Sequence, residues 1–228
     1  MTNPARRHFQ RISARLASAS AGAGETMVGS AYELMLAKLA IDRRRLKDIK
    51  SIARKIEVKR AELLPAYVDY VAGALSGGRG AQDDVLTTVM IWRVDVGDFA
   101  GALDIARYAI AHRMTLPDQY DRTLSTAIAE EFAEAALSSF KKDASGEGVS
   151  VAQLDEIAQL TESHDMHDQV RAKLHKAIGY TFERAGNLPL ALYHLRGALK
   201  LDERAGVKQD IARIEKAGNA AGTDAGRT

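Results

Sequence analysis

Nine lysines or arginines stand against three acids in IDRRRLKDIKSIARKIEVKR, Ile41 to Arg60, a local charge of +6 in a chain whose formal net charge is +2. Cations at that density suit one kind of chemistry. They hold phosphates, gaining free energy by releasing the counterions of a polyanion, with little regard to its sequence. The rest of the charge is placed to match. Residues 1–60 hold 14 Lys or Arg and 5 Asp or Glu, a net of +9, while the remaining 168 hold 18 and 25, a net of −7. Such asymmetry points to a polyanionic partner for the first quarter of the chain. The plainer reading is a solvated helix face.

Other residues have types and spacings that could cut or coordinate. Metal-dependent phosphodiester cleavage needs two or three carboxylates converging on Mg²⁺. Glu57-Val58-Lys59 has a Glu-x-Lys spacing, but it falls inside a helical stretch, where ion pairing is the expected role. Asp83 and Asp84 are adjacent and diverge around a helix, so they suit its N-terminus. Asp95 and Asp98 flank a turn. HDMHD, His164 to Asp168, is the one dense set of possible ligands, with no strand before it and no cysteine beside it. Asp165 or Asp168 capping the next helix is the reading preferred over zinc. His175 and His194 fall within helices as core or surface histidines. The SGGRG loop, Ser76 to Gly80, lacks the preceding strand and the Gly-Lys-Ser/Thr ending of a nucleotide cradle. No catalytic set and no metal site emerge, and no cofactor is evident.

The elements that must present the cations are helical. Alanine, leucine and charged residues dominate and prolines number four in 228 residues, which favours an all-α fold. Cysteine is absent, which excludes disulfides, thiolate metal sites and a cysteine nucleophile. No apolar run reaches the ~18–20 residues of a membrane span, so no membrane partner is expected. Arg6, Arg7 and Arg11 precede no hydrophobic stretch, so a secretory signal is not expected.

From Tyr32 the apolar residues follow a heptad. One seam position takes Tyr32, Leu39, Leu46, Ala53 and Arg60, and the other takes Met35, Asp42, Ile49, Ile56 and Leu63. This predicts one long, coiled-coil-like helix with Ser30 as N-cap and Glu33 completing a capping box. Arg43, Arg44, Arg45, Lys47, Lys50, Arg54, Lys55 and Lys59 then point away from the packed side, with Arg60 on the seam. Leu39, Leu46, Ile49 and Ile56 become candidates for joining neighbouring protomers. Pro65 is expected to end or kink the helix.

The domain reading is a flexible basic arm over 1–30, carrying Arg6, Arg7, Arg11 and Arg15; the long basic helix and an apolar segment over 31–75; a helical hairpin domain over 76–140; a second over 150–216; and a disordered tail over 217–228. The hairpins repeat a pattern. Gly97-Asp98-Phe99-Ala100-Gly101-Ala102-Leu103 aligns with Gly186-Asn187-Leu188-Pro189-Leu190-Ala191-Leu192, a tetratricopeptide-like turn followed by a helix with alanine at its contact face.

Three segments together resemble a known family: AYELMLAKLAIDRRRLKDIKSIARKIEVKR with ELLPAYVDYV; GAQDDVLTTVMIWRVDVGDFAGALDIARYAI; and VRAKLHKAIGY with GNLPLALYHLRGALKLDERAGVKQDI. In this order, from roughly Pro4 to Lys216, they are similar to the small terminase subunit of temperate contractile-tailed phages, also called the terminase endonuclease subunit. The resemblance implies packaging of phage DNA. Such a subunit recognises a cohesive-end site on concatemeric double-stranded DNA and works with a large ATPase subunit in the bacterial host cytoplasm. It also implies a homo-oligomeric ring. The long basic C-terminal tail of some relatives is not matched here, so no DNA-binding role is carried over from it. If about six exposed cations between Arg43 and Arg60 met phosphates, log K would fall against log salt with a slope near −5. Two alternatives stay open: an endonuclease in its own right, with Mg²⁺, and a helical protein-docking scaffold.

Overall fold

A computed structural model describes residues 3–117, 121–141 and 148–225, with backbone alone at Ser30, Lys141 and 219–225. The fold is all-α, with no strand among the described residues; a single bridge joins Thr26 to Gln82. The chain forms two compact units, Met1–Leu124 and Ser125–Thr228.

In the first unit α1 (Pro4–Ser20) stands where the sequence suggests a loose arm. Its cause is small residues. Ala14 and Ser18 lie on α4 (Leu64–Gly77) at Gly73 and Gly77, where an added Cβ at Gly73 would sit 2.2 Å from the Arg11 carbonyl oxygen. Ser18 Oγ donates to the Ala74 carbonyl at 2.9 Å, and Arg7 pairs with Asp69 at 2.8 Å. The link after α1 is pinned by Gln82, whose carbonyl accepts from Met27 N and whose N–H donates to the Glu25 carbonyl.

α2 (Ser30–Asp48) buries Tyr32, Met35, Leu39, Asp42 and Leu46, the first part of the predicted seam. Its N-cap is Gly29 at φ +115°, a conformation open to glycine, so Ser30 is the first helical residue and not the cap. The single long helix does not form. Ile49 and Ser51 are extended, and the Ser51 side chain accepts from Arg54 N to start α3 (Ile52–Val58). Local capping by serine here outcompetes continuation of the helix. The heptad register is disturbed across the break: the seam residues Ala53 and Arg60 are exposed and Ile56 half-exposed, whereas Val58, off the seam, is buried. Of the seam positions beyond the break Leu63 stays buried.

Pro65 neither ends nor breaks its helix. A π-helical turn, Lys59–Leu63, with Leu64 N bonded to the Lys59 carbonyl, carries α3 directly into α4. The wider turn accommodates a proline that has no N–H to give. At the centre of the unit lies α5 (Asp84–Asp95), buried without interruption from Val85 to Trp92 and followed by α6 (Phe99–Ala111). Asp83 caps α5, accepting from Val85 N and Leu86 N at 2.9 Å.

The second unit starts at α7 (Leu124–Lys141), not at the loop after it, because α7 is tied to α9 (Asp168–Arg184) by Lys173–Glu130 at 3.0 Å and by Phe140 against Tyr180. α8 (Val151–Thr161) opens on a capping box, Ser150 with Gln153. α10 (Leu188–Leu201) and α11 (Lys208–Ala225) close a core of Leu195, Val207, Ile211 and Ile214. The backbone of the expected tail continues α11 to Ala225, and 226–228 lie outside the described residues, as do 142–147 of the expected boundary loop.

Candidate nucleic-acid interface

The basic stretch spans the second half of α2, α3 and the π turn, and the structure sorts its cations into two groups. Arg43 is half-buried, donating from Nη2 to Thr88 Oγ1 at 2.6 Å while its buried Nε has no partner. Lys59 is only 12% exposed, pairs with Asp95 at 2.5 Å and lies 6.0 Å over the Trp92 ring. Arg60 donates to the Val96 carbonyl at 2.6 Å. All three are engaged within the unit: Arg43 and Lys59 are not the outward display the sequence suggests, and Arg60, expected on the seam, is exposed and bonded to the backbone. Asp95 is therefore a partner for Lys59.

Arg45 pairs with Glu62 at 2.5 Å, and Arg54 with Glu57 at 2.7 Å. Both pairs are largely exposed, where an ion pair is worth little and exchanges readily for a phosphate. Arg44, Lys47 and Lys50 are exposed or half-exposed and Lys55 half-exposed, and none has a partner among the described residues. The extended residues at the α2–α3 break place Lys50 on an open corner between two helix ends. On α1, Arg6, Arg11 and Arg15 are exposed and likewise without partners, whereas Arg7 is held by Asp69.

Two of the four residues expected to join protomers are spent at home. Leu39 is fully buried and Leu46 nearly so; Ile49 and Ile56 lie nearer the surface. Hydropathy along the seam misses the opposite side of α2, where Leu34 is 68% exposed and Ile41 70%, one heptad apart. That spacing is readable in the sequence, but it runs beside the seam and not along it.

The carboxylates and histidines do not converge. Among the described residues no three His, Asp or Glu side chains gather in a way that could hold a metal ion. In the HDMHD segment His167 is the N-cap of α9 with no side-chain cap, and Asp168 is in the first turn, so neither aspartate caps. The His164 carbonyl accepts from Arg171 at 2.8 Å. Asp83 is completely buried and receives the Tyr70 hydroxyl at 2.7 Å; burial pushes its carboxyl up to about 6. His175 and His194 meet, Nδ1 to Nδ1, at 3.0 Å, and burial lowers both.

Residues 36–169, running from α2 into α9, match the family described as the phage small terminase subunit. The chain belongs to that family. It is 47% identical over 216 residues to the terminase, endonuclease subunit, of Escherichia phage P2, covering 95% of this chain and 85% of that protein. It is 25% identical over 198 residues to the probable terminase, endonuclease subunit, of Haemophilus phage HP1, covering 81% and 69%. No solved structure matches. The small terminase family match begins within α2, so it takes in every cation from Lys38 to Arg60 and leaves α1 outside. No described helix of this family member is long and apolar enough to cross a membrane.

Proposed function

We propose that this small terminase subunit grips the cohesive-end site of concatemeric phage DNA and presents it to a large ATPase subunit for cutting and translocation, in the cytoplasm of the bacterial host. The observation that carries the reading is the set Arg44, Lys47, Lys50 and Lys55, left unpaired on α2 and α3 while neighbouring cations are consumed by the unit. Four phosphate contacts give a salt slope of about −3.6, and recruitment of Arg45 and Arg54 raises it to about −5. Arg6, Arg11 and Arg15 supply a second set of contacts to the backbone.

Replacing Arg44, Lys47 and Lys50 together with Glu tests this by gel shift on duplex DNA. Binding falls at least tenfold while helical circular dichroism stays unchanged. Undiminished binding rejects the interface. Arg43→Glu is the wrong probe, since it disturbs the contact with Thr88.

Copies of the chain assemble, in this reading, through the outer side of α2. Leu34 and Ile41, both exposed and one heptad apart, supply the apolar contact. Leu34→Asp with Ile41→Asp lowers the mass in light scattering without unfolding the chain. A ring of such subunits multiplies weak patches on one duplex.

The second reading, an endonuclease using Mg²⁺, is favoured by the name of the phage P2 relative. Incubating the purified chain with end-site DNA and Mg²⁺, without the large subunit, separates the two. Nicking abolished by EDTA establishes the second reading. In the first, no cofactor takes part.

A further inference from the structure

The outward side of α10 carries a set of groups that the basic helices do not explain. α10 buries Ala191, Leu195 and Ala198 and turns Tyr193, Arg196 and Lys200 outward. Beside them opens a cavity of about 540 Å³, walled by Pro189, Tyr193 and Leu201 and floored by His175. The Tyr193 ring is 68% exposed, a large aromatic surface left to water. It is steadied edge to face by His194 at 5.1 Å.

Gly197 lies in the interior of α10, where glycine is less favourable than alanine by about 1 kcal/mol. No positive φ requires it, and an added Cβ would meet the His175 ring at 3.5 Å, an ordinary contact. What its missing side chain does is leave the imidazole open to the cavity. His175 is tied to His194 through Nδ1, so its Nε2 remains to donate or accept one hydrogen bond. At the rim, Arg196 has only an exposed pairing with Glu215 at 2.7 Å. Lys200, and beyond the helix Arg204, are exposed with side chains free of partners among the described residues.

An aromatic face, an imidazole edge and the exposed cations Arg196 and Lys200 along one helix face fit one ligand class. We propose that the α9–α10 hairpin binds single-stranded DNA, one base lying on Tyr193 at the cavity mouth and the backbone following Arg196 and Lys200. Duplex DNA offers no free base face, so the groove discriminates strands by their stacking and not by their charge. An acidic polypeptide would use the cations but not the ring and imidazole together. The site belongs to the second unit, shares no residue with the interface on α2 and α3, and stands or falls separately from it.

Fluorescence anisotropy on the full chain, with a labelled oligothymidylate and a labelled duplex as separate probes, tests the assignment. Tyr193→Ala weakens oligothymidylate binding about tenfold and Tyr193→Phe restores it, because stacking needs the ring and not the hydroxyl. Gly197→Leu fills the cavity and gives the same loss, its fold checked by circular dichroism. Duplex binding stays within about twofold in all three, whereas the Arg44, Lys47 and Lys50 triple variant shows the reverse pattern. No oligothymidylate binding by the unaltered chain overturns the proposal, as does equal binding by Tyr193→Ala. So does displacement of the oligonucleotide by polyglutamate as effective as by unlabelled strand, which would make the groove a polypeptide dock.

Discussion

The hairpin α5–α6 and the hairpin α9–α10 are built on the same turn, bond for bond. Gly97 and Gly186 take φ +83° and +78°. Asp98 N and Asn187 N each donate back to a helix carbonyl at 2.9 Å, on Arg93 and on Phe182. Each side chain then accepts from the third residue of the next helix, Gly101 N or Leu190 N. Yet the helices put this turn to opposite uses. α5 is buried on nearly every side, whereas α10 buries one alanine-leucine stripe and leaves Leu190 and Tyr193 in solvent. Turn chemistry settles how two helices meet but not which of them becomes a core. That depends on how many neighbours arrive later.

The comparison breaks most visibly at its aromatic residues. Trp92→Ala empties a nearly fully buried site that contacts Tyr67 and Lys59, and lowers unfolding free energy by about 3–5 kcal/mol in urea titration. If its loss proves as mild as that of Tyr193, the contrast between the hairpins is false.

Next in size is the response to pH, which takes opposite signs in the two hairpins. Asp83, at the head of α5, has its folded value raised to about 6 from 3.8. The folded state therefore binds the proton more tightly, and this contribution is full below about pH 4 and lost as pH rises to 6. Asp83→Asn removes that slope, a change of roughly 3 kcal/mol across the window. His175 and His194 are lowered from 6.5, so the fold prefers them neutral. Their contribution is present above pH 6.5 and falls away below it. His175→Gln with His194→Gln flattens stability on that acidic side, as read by thermal melts across pH.

The turns themselves should respond alike. Gly97→Ala and Gly186→Ala each force a left-handed residue to carry a Cβ, with an expected cost of about 1–2 kcal/mol in urea titration. Asp98→Ala and Asn187→Ala remove equivalent caps at about 1 kcal/mol, with Asp98 the larger because it also pairs with Arg93. The smallest effect is Tyr193→Ala, within about 0.5 kcal/mol, since that ring supports no core.

Those twin turns were legible because glycine followed by Asp or Asn acts within a few residues. So was the seam from Tyr32 to Leu46. The end of that seam was not, because Ser51 stops a helix by a local bond that hydropathy does not register. α1 was not legible as a docked helix because its docking face is Ala14 and Ser18 on Gly73 and Gly77, contacts made by the absence of side chains. The pairing of the basic stretch was hidden for another reason. Thr88 and Asp95 lie 45 and 36 residues from the cations they hold, and only folding brings them there. Composition could locate the positive charge; it could not say which members of it were free.

The π turn at Lys59–Leu63 acts as a spacer between the cationic helix and the rod beyond it. One surplus residue in a helix advances everything before it by about 100° relative to everything after. Removing Ala61 would return the segment to ordinary pitch and swing Arg54 and Lys55 more than a quarter turn around α4, taking Lys59 from Asp95 and Arg60 from Val96. The angle at which the positive surface faces outward is thus metered by a single inserted position.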